Sequence, residues 1–310
     1  MARRRAASAR LVGRGGRVVS LSVVVSTYES PEALAAVLRS LADQSDQDFD
    51  VVVADDGSGS ATKAAVERSA EIFGDRLVHV WQPDRGFRFA RSLNGGVLAA
   101  RSEYLVVLGG DCVPRQHFVR ALRAGAQPGW FVAANRVLLT RELTERVLRE
   151  QTPIHRWSTA RLLVATRGGG AARATLTSRD RRRVGRTALP DFAPHNNSYC
   201  CIGVFASDFE AVNGFDTRFV GWGDEDVDLA VRLRRLGLRC GHAGPHATPL
   251  HLWHESRKLL DRANWRLLQE TVVGDRIEAV EGLRELRESC VDEESTGRPP
   301  GPVASSGRPA

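Results

Sequence analysis

Two kinds of apolar pattern alternate along the first hundred or so residues. Continuous apolar runs appear at "RVVSLSVVVS" from Arg17, "DVVVA" from Asp50, "RLVHVW" from Arg76 and "EYLVVL" from Glu103. Runs this short, unbroken and rich in Val read as strands covered on both faces. Between them the apolar residues recur every three or four positions. Pro31–Asp43 carries Leu34, Val37, Leu38 and Leu41 on one stripe, and Ala61–Phe73 and Phe89–Ala100 are also predicted helices. Strand and helix in strict alternation imply an α/β fold with a mostly parallel sheet flanked by helices.

Ligands on such sheets bind beyond the carboxyl ends of the strands. Those ends read Ser26-Thr27-Tyr28-Glu29, Asp55-Asp56-Gly57-Ser58, Pro83-Asp84-Arg85-Gly86 and Gly109-Gly110-Asp111. Carboxylates, hydroxyls and arginine therefore share one rim, which suits a sugar nucleotide and a divalent cation. Arg85, Arg88 and Arg91 follow the third strand at this rim and are placed for a diphosphate. No glycine-rich turn follows the first strand and no GxxxxGK[ST] occurs, which argues against a dinucleotide fold and excludes a P-loop.

Past Gly129 the pattern is less regular. Glu142–Arg149 and Ile154–Ala165 read as helices, "NNSYCCIGVFAS" as a strand and Ser207–Asn213 as a short helix. The stretch from Thr166 to Asp191 is expected to be a mobile loop. Then comes "GWGDEDVDLAVRLRRLG", Gly221 to Gly237. At about 100° per residue, Ala230, Leu233 and Gly237 fall near the direction of Asp226. Asp226 is thus expected on the inward face, Glu225 at its border, and Asp228 outward in solvent with Asp224 as the helix N-cap. A carboxylate on a core-facing stripe is costly, which marks it for catalysis or coordination. Trp222, between two glycines, is a candidate platform for a sugar ring.

Composition narrows the class. The 310 residues are 42% hydrophobic and 26% charged, ordinary for a globular protein with a real core. Net charge is +7, with basic runs at Arg3–Arg5 and Arg179–Arg186 but no aromatic-studded basic motif of a nucleic-acid module. A phosphate-bearing ligand and a solvated basic surface are the expected use of the charge. Five cysteines without a CxxC are not a disulfide framework, so a reducing, cytoplasmic location is expected. The basic N-terminus lacks an apolar core and no run reaches a membrane span, so any membrane contact would be peripheral. The densest soft-ligand cluster is Cys240, His242, His246, His251 and His254. "HLWH" sets His251 and His254 three residues apart, and with Asp111 they would make a mixed N/O site for Mn2+ or Mg2+.

Taken in order, "VVVSTYESPEAL", "VVVADDGS", "GFRFARSLNGG", "VVLGGDCVP", "NNSY", "GWGDEDVDLAVRL" and "HLWHESR" resemble the family 2 glycosyltransferases. The likeness is strongest to members whose C-terminal part is similar to that region of galactosyltransferases, and it runs from about Val18 to Arg276. It implies a single GT-A domain over 17–285, with a nucleotide-sugar half (17–125) and an acceptor half (126–285), between tails 1–16 and 286–310. It further implies a nucleotide-sugar donor, expected to be UDP-linked, a saccharide or small-molecule acceptor, and a divalent cation. By the resemblance Thr27, Tyr28 and Asp55 hold the nucleoside, with Glu29, Asp56, Asn94 and Gly110 beside them on the donor. Asp111 matches the last Asp of the family's DxD motif, while Gly109 replaces the first, which bears on metal dependence. His254 matches the C-terminal metal ligand, joined by His251. Asp226 matches the base of an inverting transfer, with Glu225, Trp222, Gly223 and Asn197 on the acceptor side. The alternatives are a non-catalytic nucleotide-sugar binder of the same fold, and a nucleotidyltransferase, which would need an early phosphate loop that is absent here.

Overall fold

The computed structural model describes residues 19–166, 199–255, 262–295 and 303–305. Asn197, the run Arg179–Arg186, the tail 1–16 and all of the Thr166–Asp191 stretch except Thr166 lie outside the described residues.

Chain order builds the sheet expected from the pattern. Strand β1 (Leu21–Thr27) leads through α1 (Pro31–Ala42) to β2 (Asp50–Asp55), then through α2 (Ser60–Phe73) to β3 (Leu77–Trp81). Helix α3 (Phe89–Ala99) returns the chain to β4 (Tyr104–Gly109). All four strands pair in parallel, in the spatial order β3-β2-β1-β4. The reason for unbroken apolar strands is visible in how alternate residues divide. Val23, Val25, Val51 and Val53 pack with Leu34, Val37, Leu38 and Leu41 of α1. Val24, Val52 and Ala54 pack on the opposite face with Ala90, Leu93 and Val97 of α3. Each of these Val and Leu side chains, fully buried, contributes about 1.5–3 kcal/mol.

The second half extends this sheet and adds a small one. After β5 (Cys112–Val113) and α4 (Phe118–Gly125) come β6 (Trp130–Ala134), β7 (Val137–Leu138), α5 (Arg141–Arg149) and α6 (Thr159–Ala165). Strand β8 (Cys201–Phe205) runs antiparallel to both β4 and β6, and β9 (Arg239–Gly241) is parallel to β6. Between β8 and β9 lie α7 (Ala206–Ala211) and α8 (Glu225–Arg235). Strand β10 (Leu250–His251) sits between β5 and β7 in a separate three-stranded sheet.

Two expectations need correction. Ile154–Ala165 is not one helix: a single 3-10 turn, Ile154–Arg156, is followed by α6, which starts where Ser158 accepts from Arg161 N at 3.2 Å. Strands β5, β7, β9 and β10, of two or three residues each, are too short to show a period. The expected tail 286–310 is partly structured. Following α9 (Arg262–Val273), helix α10 runs Leu283–Ser295, and β11 (Val303–Ser305) pairs antiparallel with β3. Buried Asn213 docks α10, donating to Glu285 Oε2 at 2.9 Å and accepting from Arg284 N at 3.0 Å. Among the described residues no helix is long and apolar enough to cross a membrane.

Candidate active site

At the carboxyl ends of β1–β3 the rim is tied together by hydrogen bonds, Asp56 N donating to Thr27 O at 3.0 Å and Gln82 N to Asp55 O at 3.1 Å. Asp55 is buried, its Oδ1 accepting from Ser58 N at 2.8 Å and its Oδ2 paired with His79 Nε2 at 3.0 Å. Glu29 holds the same turn from the other side: its Oε1 accepts from Gly59 N at 2.8 Å, and its own N–H donates to Ser58 Oγ at 2.9 Å. Tyr28 is exposed at the edge, its hydroxyl donating to Asp84 Oδ2 at 3.1 Å. Thr27 Oγ1, at the end of β1, is buried with no protein partner.

Asp56 anchors the arginine segment. It accepts from Arg88 N at 2.7 Å and from Gln82 Nε2, and Gln82 Oε1 accepts from Arg91 at 2.7 Å. Burial pushes the Asp56 carboxyl above its ordinary value, and the Gln82 and Arg88 hydrogen bonds oppose this. Arg88 donates to Pro83 O, so Arg88 and Arg91 are tied into the loop while Arg85 is exposed beyond it. Asn94 does not face the rim. It is fully buried and clasps Phe215, donating to its carbonyl at 2.8 Å and accepting from its N–H at 2.9 Å. Its expected donor contact gives way to a structural one, because both amide atoms are already used.

Gly110 lets two loops meet. A Cβ there would lie 2.0 Å from Ser26 O, so only glycine allows the β4 end to pass so close to β1. The next residue, Asp111, is met by the C-terminal histidines. Strand β10 pairs with β5 in the register His251↔Cys112, and Leu252 N donates to Asp111 O at 2.9 Å. His251 Nε2 and His254 Nε2 both stand 3.2 Å from Asp111 Oδ2. Burial raises the Asp111 carboxyl, but hydrogen bonds from His251 and His254 outweigh it and hold the group far below the usual range. The three donor atoms lie within 4.8 Å of one another, a spacing that one ion can bridge. Two imidazoles and one carboxylate fit a divalent transition metal better than Mg2+. Gly109 contributes no donor. Cys240, His242 and His246 do not join this group.

The acidic helix is introduced by a left-handed turn, with Gly221 at φ +88, Gly223 at +99 and Asp224 at +74. Asp224 occupies the N-cap position without a capping hydrogen bond from its side chain. Asp226 is half-buried, accepting from Val227 N at 2.8 Å and from Tyr199 N. Burial pushes its carboxyl up to about 7, against those hydrogen bonds. Burial and the charge of Asp226 push Glu225 up too, and Glu225 Oε2 has no protein partner. A short path of backbone and hydrogen bonds joins the two clusters: Asp226 accepts from Tyr199 N, and the next carbonyl, Cys200 O, accepts at 3.1 Å from Gly109 N, two residues before Asp111. Trp222 is exposed beside this turn, and Gly223 O accepts from Asn264 Nδ2 at 3.0 Å.

Asp228 corrects the expectation of an outward acid. It is fully buried, accepting from Arg232 Nε at 2.8 Å, Thr271 Oγ1 at 2.6 Å and Arg276 at 3.3 Å. Helix α9 covers the face that looked polar, so α8 is buried on two sides. A hydrophobicity period reads an apolar face but cannot see one buried by ion pairs. Asn264, Tyr199 and Arg276 were not singled out either. Asn264 and Arg276 lie in ordinary polar contexts, and Tyr199 acts through its backbone.

A model of glycosyl transferase family 2 matches residues 22–210, and one described as the N-terminal domain of galactosyltransferase matches 186–255. Validoxylamine A glucosyltransferase of Streptomyces hygroscopicus subsp. jinggangensis is 30% identical over 239 residues, 73% of this chain and 54% of that protein. Chondroitin synthase of Escherichia coli is 24% identical over 229 residues, 70% of this chain and 32% of that one. The chain thus spans about half the length of the validoxylamine A glucosyltransferases it matches. Among solved structures, S. aureus TarS 1-349 in complex with UDP has a TM-score of 0.59 at 14% identity, covering 89% of this chain and 72% of that one. Mannosyltransferase PcManGT from Pyrobaculum calidifontis, in complex with GDP-Man and Mn2+, has a TM-score of 0.51 at 17% identity, covering 90% and 76%. These likenesses show a GT-A fold. The family model takes in the whole strand-end rim, Asp111 and β8, more than half of the 310 residues, and so the chain belongs to glycosyl transferase family 2.

Proposed function

We propose that the chain is an inverting glycosyltransferase that moves a hexosyl unit from a nucleotide sugar, UDP-linked, to a hydroxyl of a saccharide or metabolite. The observation that carries this reading is the Asp111, His251 and His254 cluster joined through Tyr199 and Cys200 to a half-buried Asp226.

In this reading the rim receives the nucleoside between Thr27, Tyr28 and the Asp55 turn, with Arg85 outermost on the diphosphate. Asp111, His251 and His254 would hold a divalent cation, which would supply Lewis-acid neutralisation of the leaving nucleoside diphosphate. The acceptor lies over Trp222 and Gly223. Asp226 takes the proton from its attacking hydroxyl, and a carboxyl pushed up to about 7 is a stronger base than an ordinary one. Glu225, raised alongside it, binds an acceptor hydroxyl through Oε2 with little added negative charge. One base suffices, because the diphosphate leaves without needing a proton from the protein.

A thermal-shift screen of UDP-, GDP- and dTDP-sugars with and without Mn2+ tests the donor. A ligand that binds the folded state raises its stability. The largest shift is expected for a UDP-sugar with Mn2+. A larger shift with a GDP- or dTDP-sugar would replace the base, and no shift with any nucleotide sugar would remove the reading.

A further inference from the structure

Asp111 is held on both sides. Its Oδ2 faces the two imidazoles, while its Oδ1 accepts a hydrogen bond from Cys112 Sγ at 3.1 Å. Cys112 is 1% exposed, and its backbone lies directly across from His251 in the β5–β10 pairing. In this pair the thiol is the donor and the carboxylate oxygen the acceptor. Cys200 is a second hydrogen-bonding neighbour of Cys112, and its own thiol is directed to Ala134 O at 3.6 Å, so it makes no bond to Asp111 in place of Cys112.

Gly109 completes the argument. A Cβ at that position would meet Asp111 Oδ1 at 3.0 Å and Cys112 Sγ at 3.3 Å. The space a side chain would enter from position 109 is bounded by the thiol and the carboxylate oxygen it holds. A carboxylate there would also bring a second negative charge next to Asp111, whereas a thiol holds Oδ1 without adding charge.

We propose that Cys112 is the positioning residue of the Asp111 carboxylate, holding Oδ1 so that Oδ2 stays turned toward His251 and His254. The inference rests on the reading of that cluster as a metal site. It goes further by assigning a group that binds neither metal nor substrate but sets how the carboxylate is presented. Partners of this kind, one bond removed from the ion, typically change metal affinity by about 10–100-fold when lost.

The test is Mn2+ binding to the full chain without donor, followed by calorimetry or by the loss of free-ion electron paramagnetic signal. Cys112→Ala should weaken Mn2+ by about 10-fold or more. Cys112→Ser, which keeps a donor of similar size, should stay within about threefold of the wild type. Cys200→Ala removes a thiol from the same packing but no bond to Asp111, and should leave the affinity unchanged. Melting curves without metal separate a folding defect from a weaker site. The inference is overturned if Cys112→Ala binds as tightly as the wild type, or if Cys112→Ser and Cys200→Ala lose as much as Cys112→Ala. Wild-type protein that shows no Asp111-dependent Mn2+ binding would overturn the metal reading itself, and this inference with it.

Discussion

Asp226 and Asp228 stand two residues apart on α8, and the proposed function gives the first a chemical task while the contacts of the second are structural. Replacing each by Asn should separate activity from stability. Asp228→Asn removes the charge opposite Arg232, a guanidinium with no exposure at all. Breaking a buried ion pair from one side costs about 3–5 kcal/mol. The low end applies, because Asn keeps one acceptor and Arg232 still donates to Val212 O and Gly214 O at 2.7 and 2.8 Å. About 3 kcal/mol at roughly 2–4 °C per kcal/mol lowers Tm by roughly 6–12 °C. Asp226→Asn, half-buried and bonded to backbone N–H groups, should keep Tm within about 2 °C per the same scaling while turnover falls by about 10²–10⁴. Differential scanning calorimetry and turnover, measured where both variants are folded, read the two effects. An Asp228→Asn protein with wild-type Tm, or an Asp226→Asn protein with wild-type turnover, would refute the assignment of roles.

Other outcomes follow from the same contacts. Asp111→Ala and His251→Ala should each abolish Asp111-dependent Mn2+ binding, and Mn2+ should support turnover better than Mg2+ because two of the three donors are imidazoles; better support by Mg2+ would contradict the donor set. With Asp226 raised to about 7, turnover should rise with pH through that value instead of near an ordinary carboxyl value, and the limb should vanish in Asp226→Asn. Asp216, where burial is outweighed by Arg218 and Arg276, is lowered from 3.8 to about 2. Its depressed folded value adds about 2 kcal/mol above the unfolded value, lost as pH falls toward 2; Asp216→Asn should flatten that part of a stability–pH curve. Gly110→Ala should lower Tm sharply, since its Cβ would strike Ser26 O at 2.0 Å, and a well-folded Gly110→Ala would mean the two loops are not packed as described.

The parallel half of the fold was legible because its strands are covered on both faces and its helices on one. Val23 and Val24 both read as apolar, and each has a helix to meet. The meeting of Asp111 with His251 and His254 was expected from spacing and family likeness, and the register of β5 against β10 brings them to one point. What the sequence hid were burials made by polar partners. Asp228 looked solvated because its neighbours Arg232, Thr271 and Arg276 are themselves polar, two of them supplied from over forty positions away. Asn94 looked like a ligand residue for the opposite reason: nothing local shows that Phe215 takes both ends of its amide. Helix α10 was lost in a tail of similar composition because its docking depends on Asn213, far upstream.

The most direct test of sugar transfer needs no known acceptor. Wild-type protein with Mn2+ and an α-linked UDP-sugar should slowly transfer the sugar to water, and proton NMR distinguishes the anomers before they equilibrate. The account predicts UDP together with the β-anomer as first product, with the signal lost on chelation and in Asp226→Asn. First release of the α-anomer, or release that persists undiminished in Asp226→Asn, would contradict it.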